Sequence, residues 1–589
     1  MFAAVYGFPS EETARNRLER IARSAGNCAA ARYLIDGGTG LLVCPNQFTC
    51  LDETKRTVWH GEAPHTPSVG SGVAWERARG AFSAAALQSG SLLLARGRFG
   101  GRPLYYAREG LNGRTIVACS RLEPLIQTMG FAPSLDDQRM LEFVATGSIV
   151  GECTIYQGVY RLLSAQILVF ARDSFVIRRL APIQVKPLSP HEDPREVARE
   201  LRAQIQRAVQ RSLSGVRRVA VAAGGGVDSS SLLATVIAQS RGANPREVKA
   251  IALDFAGPGS DQPHLRKLTE ALGIAPLRVL PSDCVKNLGD SLVIDAAPVV
   301  SPAMALCIEL ARKARDNGAE VLLAGGGADD LFDGDLAVFP DQARRGDFIG
   351  ALIGAARLRG IYWIPSRRAR IAHLLLRPLA RETLPPSVEA LWRRAQAWRH
   401  RRPEEWFGRK LKQFVYDQNS KAKLRKRGVG NIVDVGAAEH LLNLRDAREQ
   451  VEIRSGCPHI EPFLSDDLLE FVARIPPAFF FFGNIRRGLL RESMRGILPD
   501  SVRLREDKAS AGPAIAEMLS TEGAIERIRP WLPMSAIAER AFIDAAAVSK
   551  FVSDTSRSNW GAWLNLWPAL ALEALHGMPI FENSEERAA

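Results

Sequence analysis

The segment Val216–Gln239, VRRVAVAAGGGVDSSSLLATVIAQ, constrains this fold more than any other part of the chain. Val219–Ala223 is a short apolar run without polar alternation, as in a strand covered on both faces. Gly224, Gly225 and Gly226 then turn the chain, and Asp228 and Ser229 open an amphipathic helix. Three successive glycines let backbone N–H groups point at a phosphate without Cβ interference, and the helix dipole adds favourable partial charge. Ser229 and Ser230 are expected to add hydroxyl donors, and Asp228 is placed to reach a magnesium ion on that phosphate. Taken alone, the glycine triplet is also compatible with an ordinary tight turn.

A second segment has the same grammar. Glu320–Ala324 is another apolar strand, followed by GGGADDLFDGD, Gly325–Asp335, with aspartates at 329, 330, 333 and 335. Carboxylates just beyond the carboxyl end of a parallel strand lie where open α/β sheets bind ligands. With Asp228 they suit the oxygen preference of magnesium; the bland reading is a solvated acidic loop. Asp228 and Asp329 are therefore the expected metal ligands, and Gly325 and Gly327 join the phosphate cradle.

These two segments resemble the asparagine synthetase family, whose synthetase domain carries SGGxDSS and then SGEGxDELFxGY. Further blocks extend the resemblance: LLLARGRFGGRPLYYA (Leu92–Ala107) followed by ACSRLEPLIQTMG, EPFLSDDLLEFVARIPP (Glu461–Pro477), and IRRGLLRESMRGILPDSVRLREDKAS (Ile485–Ser510). The resemblance implies an α/β and α+β multidomain chain. A glutaminase-like β-rich domain is expected over 1–185 and a Rossmann-like, parallel-sheet ATP-pyrophosphatase part over 195–340. A basic helical insertion over 341–430 and a helical C-terminal part over 431–589 follow, the latter packing back over the cleft. It implies ATP and magnesium as cofactors, adenylation of a carboxylate, and pyrophosphate release into the Gly224–Ser230 cradle. Lys508 resembles the family lysine that contacts the negative charge developing in amide formation, with a plain surface lysine as the alternative. Backbone groups near Val221 and Leu253 are where the family would hold adenine.

The departures are informative. Asparagine synthetases begin their mature chain with a glutamine-hydrolysing cysteine, whereas this sequence begins Met1-Phe2-Ala3, and no NGEIYN-like glutamine-binding stretch is recognisable. The amine is therefore expected to come from the substrate. Gly224 replaces the first serine of SGGxDSS and Gly326 replaces the glutamate of GEG. Members without the cysteine include β-lactam synthetases and the macrolactam synthetases, or cyclases, of lasso peptides. The RESMRGILPDSVRLREDK block, the tryptophan-rich basic insertion and the SNWGAWLNLWPALALEALHG tail resemble the latter. That resemblance implies a precursor peptide as substrate, with a leader peptidase and a leader-binding protein as partners. A β-lactam synthetase, an ammonia-dependent asparagine synthetase and a degenerate peptide-binding scaffold stay open.

Composition agrees with a multidomain enzyme. A chain of 589 residues, 46% hydrophobic, is long enough for about two to four domains. No apolar run approaches the roughly 18 residues of a membrane span and no secretory signal pattern is present, so cytoplasmic residence without stable membrane insertion is expected. The eight cysteines are scattered without a CxxC pair and read as reduced thiols, and the nine histidines show no zinc-ligand spacing. The net charge of +13 invites a nucleic-acid reading until it is located. Residues 341–430 hold 22 Lys and Arg against 7 Asp and Glu, so the excess belongs to the insertion and nucleic acid is not an expected partner. That insertion carries Trp363, Trp392, Trp398 and Trp406 and reads as helices broken by Pro365, Pro378 and Pro385-Pro386. It reads first as a solvated face and next as a peptide-recognition surface, with nucleic acid or an anionic membrane surface as the remaining alternatives. The proline-rich stretch Pro182–Pro194 is the expected linker, followed by a helix over Arg195–Leu213.

Overall fold

The computed structural model describes residues 1–579 except 27–29, 45–48, 54–55, 62–79, 89, 99–101, 111–112, 132, 173, 181–184, 243–244, 258, 362, 383, 386, 389–390, 392–394, 396–403, 422–438 and 508–509. Two six-stranded antiparallel sheets form the N-terminal part and a five-stranded parallel sheet carries the rest.

Phe2–Tyr6 runs between Thr39–Val43 and Thr115–Cys119 in the first sheet. Its alternation sends Phe2, Ala4 and Tyr6 into a core shared with Val58, Leu94, Leu168 and Phe170 of the second sheet. Ala3 and Val5 face the other way and share a core with Ala14, Leu18 and Ile21 of helix Glu11–Ser24. A strand buried on both faces favours consecutive apolar side chains, as Phe2–Val5 show, and the hydroxyl of Tyr6 at its end donates to Gly90 O. Among the described residues Cys44 departs from the expectation of reduced thiols: it is disulfide-bonded, while Cys50, Cys119, Cys153, Cys284, Cys307 and Cys457 are free. The scattered spacing does not reveal the bond, because pairing follows the fold and not local sequence.

Helix Pro194–Ser212 starts behind Asp193, whose side chain accepts from Arg195 N, with proline at the first helical turn. The parallel strands then appear where the apolar runs put them: Arg218–Ala222, Glu247–Leu253, Leu277–Val279 and Val321–Leu323. Across the sheet the order is Leu277–Val279, Glu247–Leu253, Arg218–Ala222, Val321–Leu323, then a fifth strand, His459–Ile460. Strand order therefore reverses between Arg218–Ala222 and Val321–Leu323, and the two glycine triplets lie side by side at the carboxyl ends of these central strands. Helix Val227–Ser240, expected to be amphipathic, is buried around most of its surface, because helices Pro194–Ser212 and Gln262–Leu272 also pack on it.

The N-terminal part is bound to the synthetase part by buried ion pairs. Arg102 pairs with Glu449 and, at 2.7 Å, with Glu452, and Arg96 meets Asp446 at 2.7 Å; these carboxylates belong to helix Glu439–Ser455. Asp295 accepts from Leu122 N at 2.7 Å and from Arg121 Nε at 3.0 Å, so a synthetase-side carboxylate supplies the N-terminal cap that helix Leu122–Thr128 lacks in its own sequence.

The insertion differs from its sequence reading in two ways. Pro378 does not break the helical run: Arg367–Ile371 passes through a π-turn, Ala372–Leu376, into Arg377–Glu382. The wider turn accommodates the proline ring and its missing N–H. Trp406 is 1% exposed, stacked edge-on against Phe407 with centroids 4.6 Å apart, and belongs to the core and not to a recognition face. Trp392 and Trp398 lie outside the described residues. Among the described residues no helix is long and apolar enough to cross a membrane.

His459, on the fifth strand, is buried, and desolvation, then Arg448 and Arg102, bring its imidazole down to about 3 from an ordinary 6.5. The native state holds this ring neutral, whereas the unfolded chain takes up a proton below 6.5. Stability from this group is therefore complete above pH 6.5 and is lost as pH falls toward 3. The urea midpoint is expected to drop between pH 6.5 and 4, and to drop less steeply in His459→Gln.

Candidate active site

A cavity of about 300 Å³ opens at the carboxyl ends of the two central strands. Gly226, Asp228 and Ser229 line it from the first glycine loop, Gly325 and Asp329 from the second. The N-terminus of helix Val227–Ser240 opens at this cavity without a side-chain cap, the kind of helix end that favours an anion. The cradle is shaped by close approach. A Cβ at Gly225 would come 2.6 Å from His264 Cβ and 2.9 Å from Asp261 O. Gly327 has φ +81° and a Cβ there would come 2.2 Å from Leu464 Cδ2. Gly327→Ala is accordingly expected to cost about 1–3 kcal/mol, seen as a lower urea midpoint; an unchanged midpoint would contradict the packing described.

The hydroxyls divide. Ser229 Oγ accepts from Gly224 N at 3.1 Å, at the cavity wall. Ser230 is fully buried and its Oγ donates to Gly224 O at 3.1 Å, so it holds the loop from behind. Val221 is fully buried within the sheet, and Leu253 O accepts from Gln262 Nε2 at 3.2 Å; neither residue lines the cavity. Lys508 lies outside the described residues.

The residues that sequence reasoning missed are Arg486, Arg487 and Arg491. Arg487 bridges three carboxylates, pairing with Asp228, with Asp329 and, through Nε, with Asp333 Oδ1 at 2.6 Å. Its φ of +57° is a left-handed conformation, unfavourable for a side chain with Cβ by about 1–2 kcal/mol. Arg486 joins Asp333 from the next position and stacks on Trp363, 4.7 Å from the ring centroid. Arg505 grips Asp261 and Asp507, the latter at 2.9 and 3.0 Å. A Cβ at Gly224 would meet Asp261 Oδ2 at 2.9 Å, so this carboxylate crowds the space of the serine that Gly224 replaces. Arg491 is buried, which with Arg487 nearby brings its guanidinium down to about 10. All four arginines lie in the Ile485–Ser510 block, whose basic density was the available signal.

The donor set fits magnesium. Carboxylates of Asp228 and Asp329 converge on one cationic group, here the Arg487 guanidinium, and are hard oxygen ligands of the kind magnesium takes. Magnesium and Arg487 would compete for these oxygens. Among the described residues no ready-made cluster of three metal-ligating side chains is present.

The insertion forms part of the cleft. Gly360 lines it, Arg359 Nη1 reaches Glu506 at 3.2 Å, and Arg359 N donates to Asn484 O at 2.8 Å.

A family model described as asparagine synthase matches residues 200–577, nearly two thirds of the chain and all of the cleft. The chain belongs to the asparagine synthase family. A model described as a glutamine amidotransferase domain matches residues 69–180. Asparagine synthetase [glutamine-hydrolyzing] 3 of Bacillus subtilis (strain 168) is 22% identical over 459 residues, covering 74% of this chain and 67% of that protein. Membership makes this asparagine synthase family chain a carbon–nitrogen ligase coupled to conversion of ATP to AMP and pyrophosphate. Two solved structures were also matched: a glutamine phosphoribosylpyrophosphate amidotransferase from B. subtilis complexed with ADP and GMP (8% identity, TM-score 0.20) and an allosteric regulatory enzyme of purine biosynthesis (9% identity, TM-score 0.19). Each covers 55% of this chain and 80% of its own, and neither carries weight at such scores.

Proposed function

We propose that this chain adenylates an Asp or Glu side chain of a precursor peptide and closes a macrolactam with the peptide's own N-terminal amine. The observation that carries this reading is what Gly360 and Trp363 add to the cleft: Gly360 lines the cavity and Trp363 stacks on Arg486 beside Asp333. An aromatic and arginine rim joined to an adenylation cleft suits an extended peptide better than a free amino acid.

In the proposed reaction a carboxylate oxygen attacks the α-phosphorus of ATP and pyrophosphate leaves. The Gly224–Gly226 loop and the N-terminal end of helix Val227–Ser240 hold the departing phosphates, with Arg487 as counter-charge. Asp228 and Asp329 would hold magnesium, which would offset phosphate charge when bound. The amine then attacks the acyl carbon and AMP leaves, and the negative charge that develops is assigned to Lys508 on its resemblance to the family lysine. A leader peptidase must free that amine, which makes it and a leader-binding protein partners of this step, in the cytoplasm.

Separation of nucleotide products tests the reading: AMP and pyrophosphate should accumulate with a leader-cleaved core peptide, and ADP would overturn it. The match to an asparagine synthetase favours L-aspartate with ammonia as a second reading.

A further inference from the structure

Beside the turn that follows strand Val321–Leu323, a side chain from elsewhere fills a space that position 326 leaves open. A Cβ built at Gly326 would lie 2.1 Å from Glu461 Oε1, 2.4 Å from its Cδ and 2.9 Å from its Oε2, far inside the distance any real Cβ keeps. The carboxylate thus stands where a side chain at 326 would begin. Glu461 comes from the neighbouring strand: it directly follows Ile460, which pairs with Leu323. Its side chain is 8% exposed, and Arg448 Nε lies 2.9 Å from Oε2. Removing a carboxylate from water is costly and is sustained here by that ion pair. Gly325, the adjoining residue, lines the cleft with Asp228 and Ser229. The result is a paired, nearly buried carboxylate at the turn between the phosphate cradle and the acidic helix Ala328–Phe332.

Amide formation needs such a group. An amine that has attacked an acyl-adenylate carries an extra proton, and collapse to the amide requires its removal. We propose that Glu461 is the proton acceptor of the amide-forming step. The nitrogen–carbon bond forms, the bond from the acyl carbon to the AMP oxygen breaks with AMP taking the electron pair, and the nitrogen's proton passes to Glu461 and then to water. This rests on the adenylation reading above, and it explains why position 326 holds glycine: a larger residue and the Glu461 carboxylate exclude each other.

The test uses the full chain with Mg-ATP and two acids, L-aspartate with ammonium chloride and a synthetic peptide carrying a free α-amine and one internal aspartate. Exchange of labelled pyrophosphate into ATP reports adenylation, and product mass reports amide formation. In Glu461→Gln, which keeps the side-chain volume, exchange should persist while amide formation falls by about 10²-fold or more, with partial recovery in Glu461→Asp. Gly326→Glu should lower the thermal midpoint in the unaltered chain but not in Glu461→Ala, and the double variant should regain part of the amide formation that Glu461→Ala loses. Unaltered amide formation in Glu461→Gln overturns the proposal, as does equal loss of exchange and product, which marks a structural role. Equal tolerance of Gly326→Glu in both backgrounds overturns it too. Exchange with neither acid counts against the adenylation reading itself, and the stability comparison then still decides whether the two positions share one space.

Discussion

Asp228→Ala is expected to remove adenylate formation, lowering pyrophosphate exchange by at least about 10²-fold, with little change in thermal midpoint. Asp228 sits in the first turn of helix Val227–Ser240, lines the cleft and takes one of the three carboxylate places around Arg487. Its loss removes a proposed metal ligand while leaving Arg487 paired with Asp329 and Asp333, so the fold keeps its support. Exchange at the unaltered rate would mean that the cleft described here is not where ATP is cleaved.

Arg102→Ala should have the largest effect on stability, about 3–5 kcal/mol. The Arg102 side chain is 9% exposed, and its partners Glu449 and Glu452 are 7% and 13% exposed. Truncating the arginine leaves two carboxylates facing each other between the N-terminal sheets and helix Glu439–Ser455. Glu452 is already pushed upward, by burial first and then, against the pull of Arg102, by Glu449. Chemical unfolding followed by tryptophan fluorescence checks this, and a midpoint within experimental error of the unaltered chain would contradict the interface described.

The legibility of the chain follows from the range of its interactions. Central strands such as Arg218–Ala222 announce themselves because burial on both faces demands consecutive apolar residues, and the glycine loops because neighbouring groups leave no room for a Cβ at Gly225, Gly326 or Gly327. His459–Ile460 is only two residues long and pairs with a strand far earlier in the chain, so it leaves no periodicity to read. Arg487 meets Asp228 across 259 positions, and Glu461 fills the space beside Gly326; neither relation has a local signature. Pro378 misleads for the opposite reason: its local preference is strong, but a π-turn absorbs it. The adenine-binding expectation at Val221 and Leu253 rested on resemblance, since an apolar run does not say which of its backbone groups face a cleft.

The central claim is intramolecular amide formation without a glutamine donor. A leader-cleaved core peptide incubated with this chain, ATP and magnesium, with and without glutamine carrying labelled amide nitrogen, tests it by mass spectrometry. The account predicts a product lighter than the peptide by one water in both reactions, with no label; a product that retains its free amine and gains labelled nitrogen only when glutamine is present would contradict it.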